Sequence, residues 1–158
     1  MTKYVALIRG IMPMNPNMKS EKLKEFFESL GFQNVKTVIA SGNVVFESTS
    51  NDSSKLEEKI EKELPKKLGF SKTTIVRSQT ELENFVKTDP FKGVKDEKPN
   101  YLIVTFFKDR KPEIATVVDM SGEKTPDFMA KMEKEYGKEL TTRTWKTVHR
   151  ILKAMESL

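Results

Sequence analysis

Hydrophobic residues follow two patterns along this chain, and each pattern predicts a different kind of element. Between Lys3 and Arg9 every residue is apolar, which is typical of a strand buried on both faces inside a sheet. From Ser20 to Leu30, apolar residues recur three and four positions apart with lysine and glutamate between them. This spacing predicts an amphipathic helix, and Gly31 supplies the expected helix stop.

The segment from Thr37 to Ser48, T-V-I-A-S-G-N-V-V-F-E-S, predicts a β-hairpin. Its two apolar runs, at residues 38–39 and 44–46, contain the β-branched and aromatic side chains that favour strands. The triplet Ser41-Gly42-Asn43 lies between these runs and consists of residue types that accept turn conformations. We therefore expect this hairpin to lie at the centre of a sheet.

The chain after the hairpin predicts a second helix and a fourth strand. Ser54 and Glu57 have the spacing of a capping box, so a helix is expected to begin at Ser54. The sequence T-T-I-V-R at residues 73–77 is typical of a strand. The resulting order is strand, helix, strand, strand, helix, strand. It predicts an α+β fold with a ferredoxin-like βαββαβ antiparallel sheet over residues 1–78 and two helices on one face of that sheet.

The rest of the sequence predicts a short helix, a linker and a smaller lobe. Thr80 and Glu83 have the spacing of another capping box, and the helix and polar linker that follow are assigned to residues 79–99. Residues 100–158 are expected to form a small C-terminal α/β lobe. Its predicted elements are a strand from Tyr101 to Phe107, a strand from Ile114 to Val118, a helix that begins at Thr125, and a last helix capped by Thr141 or Thr142.

Composition and charge narrow the class of protein only a little. The 158 residues include 28 basic and 23 acidic side chains, which give a net charge of +5, and the two signs are interleaved. We expect a mixed, solvated surface with a weak preference for anionic partners. The absence of cysteine excludes disulfides and thiolate chemistry, and it fits the cytoplasm. The apolar runs are short, so we expect neither a membrane span nor a signal peptide.

Three stretches resemble a known family of bacterial proteins. They are Y-V-A-L-I-R-G-I at residues 4–11, I-A-S-G-N-V-V-F at residues 39–46 and T-T-R-T-W-K-T-V at residues 141–148. Together with D-P-F at residues 89–91, they are similar to the signature of family 1697 among the bacterial domains of unknown function. The resemblance covers nearly the whole chain and implies a ferredoxin-like domain with a second α/β lobe. It implies no activity that can be transferred.

One loop departs from the family pattern. Members usually have R-G-I-N-V-G-G after the first strand, whereas this chain has R-G-I-M-P-M-N-P-N from Arg9 to Asn17. Both central glycines are replaced, and two prolines are present. If this loop approaches a ligand through its backbone in other members, this chain has lost that contact.

The motifs that normally identify an enzyme are absent from the sequence. It has no G-x-S-x-G elbow, no phosphate-binding G-x-x-x-x-G-K-[ST] loop and no H-E-x-x-H zinc motif. The single histidine, His149, follows Trp145 by four residues on a predicted helix, where packing is the commoner role. One histidine without a spaced acidic cluster does not predict a zinc site. We therefore expect no metal and no cofactor.

A set of polar residues forms a candidate site for a small anion. Its members are expected at the ends of elements, and they are Arg9, Ser41, Asn43, Thr142 and Arg143. The last two are expected to open a helix, whose free N–H groups bind anions together with hydroxyl and guanidinium groups. The sequence thus favours a non-catalytic module that binds a small anionic ligand or a protein partner. Each residue also has a purely structural interpretation as turn, cap or core.

Other functions stay open at this point. Lys146, Arg150 and Lys153 are expected on the outer face of the last helix, where they would follow the phosphate backbone of a nucleic acid. An enzyme that uses carboxylates would have its cleft between the two lobes. An open sheet with a free edge strand also makes a homodimer an alternative to a single chain.

Overall fold

The computed structural model describes residues 1–109, 112–119 and 128–158. In this part of the chain, seven strands form two antiparallel sheets, and five α-helices pack on them. The predicted mixed α+β fold is confirmed. The strands are Thr2–Ile8 (β1), Gln33–Thr37 (β2), Asn43–Ser48 (β3), Thr74–Ser78 (β4), Asn100–Phe107 (β5), Ile114–Asp119 (β6) and Leu140–Thr144 (β7). The α-helices are Ser20–Ser29 (α1), Ser53–Leu68 (α2), Gln79–Lys87 (α3), Phe128–Tyr136 (α4) and Trp145–Glu156 (α5).

The first sheet has four strands in the order β2-β3-β1-β4, so β1 has a neighbour on both sides. Val45 of β3 and Arg77 of β4 lie opposite Val5 of β1. Helices α1 and α2 cover one face of this sheet. Phe27 of α1 and Ile60 of α2 are fully buried there, because each helix turns its apolar stripe toward the strands.

The second sheet has three strands in the order β6-β5-β7 and packs against the other face of the first sheet. Leu7 of β1, Val104 of β5 and Val148 of α5 belong to one buried core between the sheets. A separate apolar cluster covers the far face of the second sheet, where Met132 of α4 packs with Leu140 of β7. Within the described residues, no helix combines the length and the apolar character that a membrane crossing requires.

The predicted hairpin is confirmed, but its first strand lies earlier in the chain and forms an edge of the sheet, so only its second strand is central as expected. Strands β2 and β3 pair antiparallel, with Thr37 opposite Val44. Val38 and Ile39, which were predicted in a strand, lie in the connecting loop, where Ile39 has a positive φ of 56°. Val38 packs into the core from this loop, with 8% of its surface exposed. Its apolar character reflects burial and not strand structure.

Two helices begin earlier than the capping-box patterns predicted. Asp52 caps α2, because its carboxylate accepts the N–H groups of Ser54 and Lys55. The capping box that opens α3 is formed by Ser78 and Glu81, two residues before the predicted pair. Both pairs satisfy the same sequence pattern. The earlier pair forms the capping box because β4 ends at Ser78 and α3 follows it directly.

The predicted cap of the last helix is also wrong. Thr141 and Thr142 lie in β7, a strand that the sequence pattern did not predict. Thr144 caps α5, since its hydroxyl accepts the N–H of Thr147 at 3.2 Å. The predicted helix start at Thr125 lies outside the described residues, and α4 is described from Phe128 to Tyr136.

One edge of the first sheet is closed by carboxylates of α2. Val76 of β4 donates its N–H to Glu57 Oε2 at 2.8 Å, and Thr74 donates its N–H to Glu61 Oε2 at 3.0 Å. The two glutamates lie about one helical turn apart, which matches two strand residues that face the same edge. This contact occupies the N–H groups that another strand would use.

Replacing Glu57 with leucine is expected to lower the free energy of unfolding by about 2 kcal/mol, because the buried N–H of Val76 loses this acceptor. Urea unfolding followed by circular dichroism measures the loss. Glu58 is exposed on the same helix, and Glu58→Leu is expected to change stability by less than about 0.5 kcal/mol. Equal stabilities of Glu57→Leu and the wild type would show that α2 does not hold β4 through this contact.

Candidate functional site

The centre of the candidate site is the side chain of Arg143 in β7. It extends from the second sheet to the first and is buried, with 9% exposed. Nε donates to Asn43 Oδ1 at 2.6 Å, and Nη2 donates to the carbonyl of Ile8 at 3.1 Å. Nη1 donates to Thr141 Oγ1 at 2.6 Å and to the carbonyl of Thr142 at 2.7 Å. One guanidinium therefore joins β7 to the ends of β1 and β3.

Asn43 and Gly42 hold the hairpin loop in one shape. Asn43 Nδ2 donates to the carbonyl of Val38 at 3.0 Å and to Ser41 Oγ at 2.9 Å. The N–H of Ile8 donates to the carbonyl of Gly42 at 2.9 Å. Gly42 has a φ of 82°, and a Cβ at this position would lie 2.5 Å from the carbonyl oxygen of Ile8. The loop therefore combines turn chemistry with a close backbone contact to β1.

Arg9 lies at the same junction but binds different partners. Its guanidinium pairs with Glu133 of α4 and donates to the carbonyls of Lys138 and Leu140. Because Leu140 begins β7, Arg9 fastens the end of β1 to the start of that strand. The charge of Arg9 is thus compensated by a carboxylate, in contrast to that of Arg143.

The side chain of Thr142 does not join this network. The prediction that Thr142 and Arg143 open a helix is wrong, because both lie in β7 and α5 begins only at Trp145. The hydroxyl of Thr142 is directed at Met129 Sδ of α4, 3.6 Å away, on the far face of the strand. The N–H groups at the start of α5 are therefore not part of the site. Of the predicted set, the structure brings Ser41, Asn43 and Arg143 into one hydrogen-bonded group.

Arg143 is a buried cation with neutral partners. Burial lowers the pKa of its guanidinium to about 10, so the group stays protonated at neutral pH. Within the described residues, no carboxylate forms an ion pair with it. Arg77 of β4 is 1% exposed and also joins the two sheets, but its Nε donates to Glu113 Oε1 at 3.0 Å. Of these two buried arginines, Arg77 has a counter-ion and Arg143 has only uncharged oxygens.

Arg77 was missed by the sequence interpretation. Besides its ion pair, it donates Nη2 to the carbonyl of Phe107 at 2.7 Å. A signal for it was present, because Ile75 lies two residues earlier on the same face of the strand and is fully buried. An arginine in phase with a buried isoleucine predicts a buried guanidinium that needs partners.

The outer face of α5 carries the residues of the nucleic-acid alternative. Lys146, Arg150 and Lys153 are exposed there. His149 packs edge-on against Trp145, with ring centroids 4.6 Å apart. This contact agrees with the packing role expected for the histidine.

The carboxylate enzyme alternative expects a cleft between the two lobes. A hollow of about 760 Å³ lies nearby, between α3 of the predicted helix-and-linker segment and the start of β6. Two carboxylates line it, and both have structural roles. Glu81 belongs to the capping box of α3, and Glu113 pairs with Arg77. Among the residues that the structure describes, no group of three or more side chains of the types that bind metals is found.

The stretches that carry the family resemblance meet at this junction. Ile8, Asn43 and Arg143 come from the first, second and third stretch, and they are directly hydrogen-bonded. Phe91 of the D-P-F stretch packs against Trp145, with ring centroids 5.0 Å apart. The signature residues therefore hold together elements that are distant in sequence.

Comparison with known proteins gives a family and a fold. The family model described as "Protein of unknown function (DUF1697)" matches residues 1–136. The solved structure of a conserved bacterial protein from Streptococcus pneumoniae is similar over 98% of both chains, with 21% sequence identity and a TM-score of 0.70, which shows a shared fold. No curated protein matches the sequence. The first two stretches and D-P-F lie inside the matched residues, and the chain belongs to the DUF1697 family of proteins of unknown function.

Proposed function

We propose that this chain is a non-catalytic module that binds a small anion at Arg143. The observation that supports this function is a buried positive charge with neutral partners and no carboxylate partner among the described residues. A buried charge is costly unless an opposite charge compensates it. At Arg77 this compensation comes from Glu113. A bound anion would take the corresponding place at Arg143.

The hydrogen bonds of Arg143 leave one donor for such a ligand. A guanidinium has five N–H groups, and those of Arg143 make four hydrogen bonds to neutral oxygens. We assign the remaining N–H, on Nη2, to the anion. Carboxylate, sulfate and phosphate oxygens form short, charge-assisted hydrogen bonds with guanidinium groups, and these bonds are stronger in a poorly solvated site.

Sulfate, phosphate and acetate are expected to raise the melting temperature when compared with chloride at equal ionic strength. A ligand at 100 times its dissociation constant adds about 2.7 kcal/mol to the free energy of unfolding. For a chain of this size, that gain corresponds to a rise of roughly 5–10 °C. If none of the three anions raises the melting temperature above the chloride reference, the proposal fails.

A matched pair of variants locates the effect. Arg143→Lys is expected to abolish the rise, because an ammonium does not reproduce the guanidinium geometry. Arg150→Lys, at an exposed position of α5, is expected to keep it. If Arg143→Lys does not fold, the NMR resonance of the Arg143 Nε–H in the wild type provides a second test. Its chemical shift should change when sulfate is added and not when chloride is added. A chemical shift that sulfate leaves unchanged would contradict the proposal.

The rise in melting temperature that sulfate causes should also depend on pH. The pKa of Arg143 is lowered to about 10, so the group is cationic below this pH and loses its charge as the pH rises through it. Sulfate keeps its charge over the same range. The rise in melting temperature should therefore be constant from about pH 6 to about pH 9 and should shrink above about pH 10.

A protein partner is the second candidate, supported by apolar side chains that are exposed beside this junction. Met12 and Met14, in the loop after β1, are 64% and 92% exposed, and Ile39 of the hairpin loop is 44% exposed. The two loops adjoin, because Ile11 lies against Gly42. Methionine side chains adapt their shape to a partner surface. Nucleic-acid binding through α5 and carboxylate catalysis stay predictions.

We also infer a division of the chain into a ferredoxin-like domain at residues 1–78, a helix and linker at residues 79–99, and a smaller lobe at residues 100–158. The order of the first six elements and the strand order β2-β3-β1-β4 support the ferredoxin-like assignment. The cytoplasmic location stays a prediction from the sequence.

A further inference from the structure

Three of the four sheet edges are closed by features of the chain. At β2, Asn34 has a positive φ of 51°, and the pairing with β3 shifts register between Gln33 and Lys36. At β4, glutamates of α2 accept two N–H groups. At β7, Arg9 donates to the carbonyl of Leu140. Bulges and charged side chains of this kind prevent edge strands from pairing with other chains.

The edge strand β6 lacks these features. Its sequence, I-A-T-V-V-D, contains no proline, glycine or basic residue. Its pairing with β5 is regular, from Ile114 opposite Thr105 to Asp119 opposite Asn100. Among the described residues, no side chain is hydrogen-bonded to the backbone of residues 115–118. Within residues 1–109, 112–119 and 128–158, the outer edge of β6 at residues 115–118 therefore has regular pairing on one side, neutral side chains and no strand on its other side.

The described residues around β6 leave room for another strand. Val117 is 42% exposed although its side chain is apolar and β-branched. The hollow of about 760 Å³ separates the start of β6 from α3, with Phe85 and Ala115 on its opposite walls. Helix α3 therefore does not cover this end of the strand.

We propose that β6 pairs antiparallel with β6 of a second copy of this chain, so that two three-stranded sheets become one sheet of six strands. In the register we infer, the two-fold axis passes Val117, which lies opposite the same residue of the second copy. Thr116 then lies opposite Val118, and Ala115 lies opposite Asp119. Neutral, β-branched side chains form the central pairs, and such pairs stabilise antiparallel strands.

Charge selects this register and favours a second copy as the occupant. A register centred one residue earlier, on Thr116, places Glu113, which pairs with Arg77, opposite Asp119, and two acidic residues directly opposite each other are less favourable than the neutral pairs of the register centred on Val117. In the register centred on Val117, no two charges of the same sign face each other along the strand. The strand is thus self-complementary in side chains as well as in backbone hydrogen bonds.

The mass of the wild-type chain and of Val117 variants tests this interface. Light scattering at micromolar concentration should give twice the 18.2 kDa of one chain for the wild type. Val117→Lys puts two like charges at the axis and should give the mass of one chain, whereas Val117→Thr keeps a neutral, β-branched side chain and should keep the double mass. Mixing Val117→Lys with Val117→Glu should restore the double mass, because opposite charges then face each other.

Two results would overturn the proposal. One is a wild-type chain with the mass of a single copy, which would leave the open edge to a different partner. The other is a folded Val117→Lys chain that keeps the double mass, which would place the interface elsewhere. If Val117→Lys does not fold, hydrogen exchange in the wild type decides. The amides of residues 115–118 should exchange more slowly as the protein concentration rises, and exchange that is independent of concentration would exclude pairing through β6.

Discussion

Replacing Gly42 with alanine is expected to lower the free energy of unfolding by about 3–5 kcal/mol. The φ of 82° is unfavourable for a residue with a side chain. The new Cβ would also lie 2.5 Å from the carbonyl oxygen of Ile8 and 2.8 Å from Ile11 Cγ1. A backbone carbonyl in a buried strand cannot move aside, so the hairpin loop must leave β1. Urea unfolding measures the loss.

Gly31→Ala is the matched control for this substitution. Gly31 has a similar φ of 89°, but no atom lies within 4 Å of its ideal Cβ position. Only the backbone strain remains, which is expected to cost about 1 kcal/mol. If the two variants lose the same stability, the contact between the loop and β1 adds nothing, and the fastening of the hairpin loop described above is wrong.

Replacing Arg143 with methionine is expected to lower the free energy of unfolding by about 3 kcal/mol. Methionine fills much of the same volume but donates no hydrogen bond. The carbonyl of Ile8 and Oδ1 of Asn43 then lose a donor in a buried place, and each such loss costs about 1–3 kcal/mol. The removal of a buried charge offsets part of this cost, because the guanidinium itself is poorly solvated.

Two further measurements separate this effect from general damage. Arg150→Met, at an exposed position of α5, is expected to change stability by less than about 0.5 kcal/mol. A double-mutant cycle of Arg143→Met with Asn43→Ala should give a coupling energy of about 1–2 kcal/mol, because the two side chains share a hydrogen bond. Additive losses would show that Asn43 and Arg143 contribute to stability independently, in spite of their hydrogen bond.

The elements that the sequence predicted well are those whose own side chains make the core. Helix α1 matches its predicted range within one residue, because Leu23, Phe26 and Phe27 all lie on the buried face. Strand β1 is apolar at both faces and is buried at both faces, between α2 on one side and the second sheet on the other. In these segments local periodicity and tertiary burial carry the same information.

The elements that the sequence did not predict are those in which polar residues face inward. Strand β7 presents Thr141 and Arg143 toward the first sheet, so its sequence shows no apolar alternation and was interpreted as a helix start. Glu57 was assigned to a helix cap, yet its carboxylate serves the edge of a strand that lies 19 residues later. A buried polar group depends on a partner from elsewhere in the chain, and a local pattern contains no information about that partner.

In the candidate site, too, the sequence predicted the local turn but not the contacts between distant residues. Turn chemistry in the sequence correctly identified Ser41, Gly42 and Asn43 as a corner of the chain. It did not predict that Asn43 would accept a hydrogen bond from Arg143, because the two residues are 100 positions apart. Arg9 was grouped with them, and its partner Glu133 was not anticipated for the same reason. Residue types indicated which side chains were able to bind, and only the tertiary structure determined their partners.

The long sequence separation of the Arg143 contacts has a consequence for biosynthesis. The hydrogen bonds to Asn43 and Ile8 span 100 and 135 residues. All strands of the first sheet lie within the first 78 residues and have therefore been translated well before β7 leaves the ribosome. During that interval the hairpin loop lacks its guanidinium and its Asn43 side chain lacks a donor. The nascent chain thus carries a sheet whose hairpin loop gains these hydrogen bonds only when one of the last segments to be synthesised arrives.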